Sequence, residues 1–125
     1  MNLLDTNVVI RFLTNDDAKL ADQADALLNQ SAPNTIELTA VVFIEIALVL
    51  ISNYQVSKQK LIEVLTLLLD LKSINCERIV LRETLAVFEE YSISIVDSYL
   101  LAKVRLGKNE GVITFDKRLR ALATS

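Results

Sequence analysis

Histidine is absent from the 125 residues, which removes the commonest general base, the Ser-His-Asp arrangement and any His-ligated zinc site. A single cysteine, Cys76, excludes an intrachain disulfide and a thiolate metal cluster, and fits a reducing cytoplasm. Two glycines and one proline leave little room for the turn-rich punctuation of an all-β fold. Positive charge is also short: 13 Lys and Arg against 16 Asp and Glu give a net charge of −3. The chain as a whole therefore repels nucleic acid at long range, which argues against a plain binding module that relies on a basic face. An enzyme that meets phosphate through bound cations is still allowed. No apolar run reaches the length of a membrane span; the longest, residues 38–51, carries Glu45 in its middle. Asp5, Asn7 and Arg11 interrupt the N-terminus where a secretory signal needs an apolar stretch. These features describe a soluble, cytoplasmic protein without a membrane partner.

What remains is 52% hydrophobic, enough for one domain over residues 1–125 to bury a core without staples. The first residues, Met1-Asn2-Leu3-Leu4-Asp5-Thr6-Asn7, read as a short buried strand whose C-terminal end delivers Asp5 into a turn. Helices follow over 8–13 and 18–29, separated by Thr14-Asn15-Asp16-Asp17, which supplies a break and a new N-cap. Residues 35–38 alternate as a second strand, and Thr39 caps a helix over 40–52 that is apolar nearly all round and expected to be largely buried. A leucine-rich helix over 57–71 has more apolar surface than one core stripe requires, as either a partner surface or an unusually buried core helix. A third strand over 73–76 and helices over 78–91 and 96–106 come next, the last closed by Gly107. A fourth strand over 111–114 precedes a terminal helix over 117–123. The sum is an α/β domain with a short parallel sheet.

Four acids stand out because chemistry without histidine must use carboxylates. Asp5 and Asp116 each follow an apolar strand and open a helix, Asp97 lies in the first turn of its helix, and Glu45 is the one charge in the apolar helix. Each has an ordinary explanation. Asp is a favoured N-cap, which for Asp5 alone is the stronger reading; an acid in a first turn suits the helix dipole; and Glu45 could occupy a narrow solvent-facing strip. Their recurrence points further. In a parallel sheet the carboxyl ends of the strands share one edge, so Asp5 and Asp116 approach each other if strands one and four are neighbours. Several carboxylates in one pocket repel unless a divalent cation sits among them, and an oxygen-only donor set suits Mg²⁺ or Mn²⁺ over zinc. Such a site points to metal-assisted phosphodiester hydrolysis.

Asp5-Thr6-Asn7, Glu45 within its helix, Val96-Asp97-Ser98-Tyr99-Leu100-Leu101-Ala102 and Thr114-Phe115-Asp116-Lys117, in this order and spacing, resemble the PIN domain, in particular the VapC-type toxins of bacterial toxin–antitoxin pairs. The resemblance spans the whole chain. It implies a three-layer fold with a central parallel sheet of about four to five strands flanked by helices, and a Mg²⁺-dependent ribonuclease. Asp5 and Asp97 would be the principal metal ligands, with Glu45 and Asp116 completing the acidic cluster and Asn7 and Thr114 orienting the carboxylates. A homodimer and a cognate antitoxin inserting its tail near the active site are also implied. Many members carry a further acid close to the Asp97 position. Here the neighbours are uncharged, which weakens the case for a second metal ion.

Arg11, Lys117 and Arg118 are candidates for touching RNA phosphates, with solvated surface charge as the ordinary alternative. The competing reading is a non-catalytic α/β interaction module whose acids are helix caps and whose leucine-rich helix binds a partner. Two other acid-dependent designs fit poorly. A haloacid-dehalogenase-type phosphatase needs a second Asp where Asn7 stands, and a receiver domain needs a Lys late in its sheet, whereas Lys117 lies past the strand end.

Overall fold

In the computed structural model, which describes residues 1–14 and 16–125, the elements are three short strands and seven helices among the described residues. Asn15, expected in the break between the first two helices, lies outside the described residues. Backbone contacts divide the chain into two compact units, Met1–Arg78 and Ile79–Ser125.

The first unit contains β1 (Asn2–Leu3), α1 (Thr6–Leu13), α2 (Ala18–Gln30), β2 (Ile36–Glu37), α3 (Ala40–Asn53), α4 (Lys58–Leu69) and β3 (Ile74–Asn75). The strands pair in parallel in the order β1-β2-β3, with Asn2 opposite Ile36 and Ile36 opposite Ile74. Parallel pairing requires a crossover, and each is supplied by two helices. Within the unit, α1 packs on α2 and α3, and α3 packs on α4.

Helix α3 shows how the sequence produces this packing. Thr39 caps it, its hydroxyl accepting from the Val42 N–H at 3.2 Å, as expected. Phe43, Ile46, Ala47 and Leu50, at helical spacing, are buried. Each large member contributes about 1.5–3 kcal/mol by leaving water. The helix is less buried than its nearly all-round apolar sequence leads one to expect, and the solvent-facing strip raised as the alternative for Glu45 is present. Val41, Glu45, Leu48 and Ile51 form an exposed strip, because the neighbouring helices leave one side of α3 uncovered. Helix α4 buries Leu61, Leu65, Leu68 and Leu69 and leaves Leu67 exposed. Arg78 ties the end of this unit together, donating from Nε to the Leu69 carbonyl at 2.7 Å and from Nη2 to that of Ile74 at 2.8 Å.

Two further expectations are corrected. The first strand is not buried: in β1, the outer strand of the described sheet, Leu3 is exposed, and only Leu4 beyond it is covered. The sheet has three strands among the described residues, against about four to five expected. Residues 111–114 form no strand; a strand exists only with a paired neighbour, and the described sheet is limited to β1, β2 and β3.

The second unit consists of α5 (Arg78–Glu90, its first residue belonging to the first unit), α6 (Ile95–Arg105) and α7 (Lys117–Thr124). Val87, Leu101, Ala102 and Leu119 join these helices in one buried cluster. Gly107 ends α6 as expected. At φ +72° it adopts the left-handed conformation, its N–H reaches the Val104 carbonyl, and the Lys108 N–H reaches that of Lys103. This pattern satisfies the last carbonyls of the helix. No helix among the described residues is long and apolar enough to cross a membrane.

Candidate active site

Parallel register gives β1 and β2 equivalent exits. Leu3 pairs with Glu37; Leu4 and Leu38 follow, both buried; and Asp5 and Thr39 then take the N-cap positions of α1 and α3. The Leu4 N–H donates to the Glu37 carbonyl at 2.9 Å, which locks this end of the sheet. Asp5 therefore sits where the carboxyl end of the first strand was expected to place it.

The two caps behave differently. Thr39 hydrogen-bonds its own helix, and so do Asp17, Ser57, Ser94 and Asp116 at other helix starts. Asp5 has the extended backbone of a cap, φ −94° and ψ 148°, yet its carboxylate makes no cap hydrogen bond. The cap reading, stronger for Asp5 on sequence alone, holds for the backbone position only. Its carboxylate has no hydrogen-bond partner among the described residues.

Asp5 lines a polar cleft of about 380 Å³ shared with Asn7, Arg11, Glu45, Asn53 and Tyr54. Asn7 and Arg11 come from α1, and Glu45 and Asn53 from α3. Glu45 belongs to the exposed strip of α3, the ordinary reading raised for it, but that strip borders the cleft. Its Oε1 accepts a hydrogen bond from the hydroxyl of Thr6, a buried residue at the start of α1. Arg11 makes no ion pair among the described residues, and it shares the cleft with two carboxylates. At one wall the Tyr54 hydroxyl donates to Asp16 Oδ2 at 2.7 Å. This bond holds the phenol in its neutral form and raises its pKa above the ordinary tyrosine value, with burial and the charge of Asp16 adding to the rise.

The cleft thus gathers Asp5, Asn7, Arg11 and Glu45 of the residues singled out from sequence. The others belong to the second unit. Asp97 is partly exposed in the first turn of α6, and its backbone N–H donates to the capping Ser94 hydroxyl at 3.0 Å. Asp116 caps α7, accepting from the Leu119 N–H at 2.8 Å. Thr114 acts on Asp116 through the backbone, its hydroxyl accepting the Asp116 N–H at 3.0 Å. Lys117 and Arg118 are exposed. Neither unit by itself holds a metal-ligating group of three or more Asp, Glu or Cys among its described residues.

The donor chemistry of the cleft fits a hard divalent cation. Mg²⁺ keeps several waters and is commonly held through one or two carboxylates, and Asp5 and Glu45 offer that number in one place. Thr6, Asn53 and Tyr54 were not singled out as functional residues from sequence. Thr6 stands inside the Asp5-Thr6-Asn7 motif, but nothing local marks Asn53 or Tyr54 beyond the end of an apolar helix.

Compared with known proteins, the sequence model of the PIN domain matches residues 3–124. No curated protein matches the chain significantly.

Proposed function

The chain belongs to the PIN domain family, and from that premise, which carries a nuclease-type activity, we propose that it is a Mg²⁺-dependent endoribonuclease and the toxin of a toxin–antitoxin pair. The observation that carries this reading is the carboxylate of Asp5, placed at a helix start without capping it and sharing a cleft with Glu45. Asp5 and Glu45 would hold the cation from the first unit. The bound cation, Mg²⁺ or Mn²⁺, would supply Lewis acidity, for activation of water and for charge on the phosphate and leaving oxygen.

The chain's own residues do the rest. Thr6 donates to one oxygen of Glu45 and so restrains the carboxylate that would hold the cation. Arg11, without an ion pair among the described residues, offers a guanidinium to a phosphate that the net negative chain would otherwise repel. Asn7 supplies an amide on the same wall as Arg11. The family resemblance adds Asp97 as a second principal ligand, with Asp116 and Thr114 in support, and substitution of each tests that assignment separately. It also supplies the homodimer and the antitoxin partner. The family match favours this reading over the non-catalytic interaction module.

The test is cleavage of single-stranded RNA by the purified protein with Mg²⁺, against the same reaction in EDTA, joined to induced expression in cells with and without any small reading frame found encoded beside it. Cleavage that needs metal, with growth arrest relieved by the neighbour, is the expected result. A protein inert on RNA at every divalent ion tried refutes the enzyme, and cleavage without growth arrest refutes the toxin role alone.

A further inference from the structure

The cleft extends well past its carboxylates. Glu45, Val49 and Asn53 are spaced four residues apart on α3 and all line it, so the α3 wall runs about 12 Å from an acid, over an apolar residue, to an amide. Tyr54 follows as the C-cap of α3 and is the one aromatic side chain lining the cleft among the described residues. Its hydroxyl is tied to Asp16, which restrains the ring. Gln55, next in the chain, takes φ +52°, a left-handed conformation unfavourable for a residue with a Cβ, and the Val56 N–H closes the turn on the Leu50 carbonyl at 3.1 Å. Arg11 lines the cleft from α1, and its positive charge acts on the Tyr54 phenol.

We infer that Tyr54, Asn53 and Arg11 form a nucleotide subsite for single-stranded RNA, in which the base stacks on the Tyr54 ring, the Asn53 amide meets its edge and Arg11 takes the phosphate. The inference rests on the ribonuclease reading and assigns where that substrate is gripped. The chemistry is that of single-strand recognition. Unpaired bases stack on aromatic faces and hydrogen-bond through exposed edges, and a guanidinium holds the backbone. Asn carries both a donor and an acceptor, so it can meet a base edge. Val49 supplies the apolar floor a sugar or base covers.

The experiment measures binding of two labelled ten-residue single strands to the full chain without metal, one an oligoadenylate and the other the same backbone with abasic ribose throughout. Cleavage of an unlabelled single-stranded RNA with Mg²⁺ is measured in parallel. Tyr54→Ala is expected to weaken oligoadenylate binding about tenfold, as loss of one aromatic stacking partner does, and to leave abasic binding unchanged. Tyr54→Phe keeps the ring and should retain most of the preference for bases. Arg11→Gln should weaken both strands equally. Tyr54→Leu, which preserves bulk, repeats the comparison should the alanine variant fold poorly. If the wild type cleaves RNA while Tyr54→Ala and Tyr54→Leu leave the ratio of the two affinities unchanged, the subsite is overturned and the ribonuclease stands. If the wild type neither binds the strands nor cleaves RNA, both fall.

Discussion

The hydroxyl of Thr6 donates to Glu45 Oε1, so that the buried first residue of α1 holds a carboxylate on α3, 39 positions further along the chain. One residue earlier, Asp5 leaves its own helix uncapped. Consecutive residues thus do opposite things: one restrains an acid across the cleft, and the other presents an acid without a partner among the described residues.

Asp5 and Asp116 occupy the same kind of backbone position and should respond differently to substitution. Asp5→Asn is expected to lower RNA cleavage by more than about 100-fold, above the range for residues that only orient ligands. Asp5→Ala should change unfolding free energy by no more than about 0.5 kcal/mol, as for a surface substitution that removes no cap. Asp116→Ala removes the acceptor for Leu119 N and should cost about 1 kcal/mol, most of it restored by Asp116→Asn. Urea unfolding and a cleavage assay on the same preparations check both, and an Asp5→Ala variant destabilised by about 1 kcal/mol would show that the Asp5 carboxylate caps α1 in solution.

Thr6→Val keeps the shape of a buried side chain and deletes its hydroxyl. With Glu45 no longer held, metal affinity and cleavage should each fall about 10- to 100-fold, the usual cost of losing a partner that orients a ligand. Thr6→Ser should restore most of both. Calorimetric titration with Mn²⁺ separates this from a packing effect, because a purely structural role would alter stability and leave the ion's affinity alone.

Removal of divalent metal should stop cleavage completely, and either Mg²⁺ or Mn²⁺ should restore it. Zinc should restore little, since the cleft offers carboxylates and amides and the chain has no histidine. Full activity in excess EDTA would leave Asp5 and Glu45 without the role assigned to them.

Tyr54 gives a pH dependence of defined sign. Its hydrogen bond to Asp16 raises the phenol pKa in the folded chain. The stabilisation from that bond is therefore fully present below the unfolded value of about 10, and is lost as pH rises through the raised folded value. The difference in thermal midpoint between the wild type and Tyr54→Phe should be constant from pH 7 to about 9 and shrink above about 10. A difference that grows with pH would mean that the phenolate is the favoured form in the folded chain.

Local features of the sequence determined most of the elements and where the acids begin them. Thr39 caps the helix expected of it, the cap expected within residues 14–17 falls to Asp17, and Gly107 closes α6, because caps and left-handed stops depend on a few neighbouring atoms. The turn after the first strand placed Asp5 at a helix start for the same reason. What a side chain does there is a different matter. Asp5 and Asp116 carry equivalent local signals, yet only Asp116 turns back on its helix. The exposed strip of α3 depended on which sides its neighbours cover, which periodicity cannot tell in a helix apolar nearly all round. The missing strand over 111–114 depended on the presence of a pairing partner. Thr6 with Glu45, and Asp16 with Tyr54, are 39 and 38 positions apart. Such hydrogen bonds form only once α1 and α3 have packed, since contact between residues so distant in the chain is fixed by the tertiary fold and by nothing nearer in the sequence.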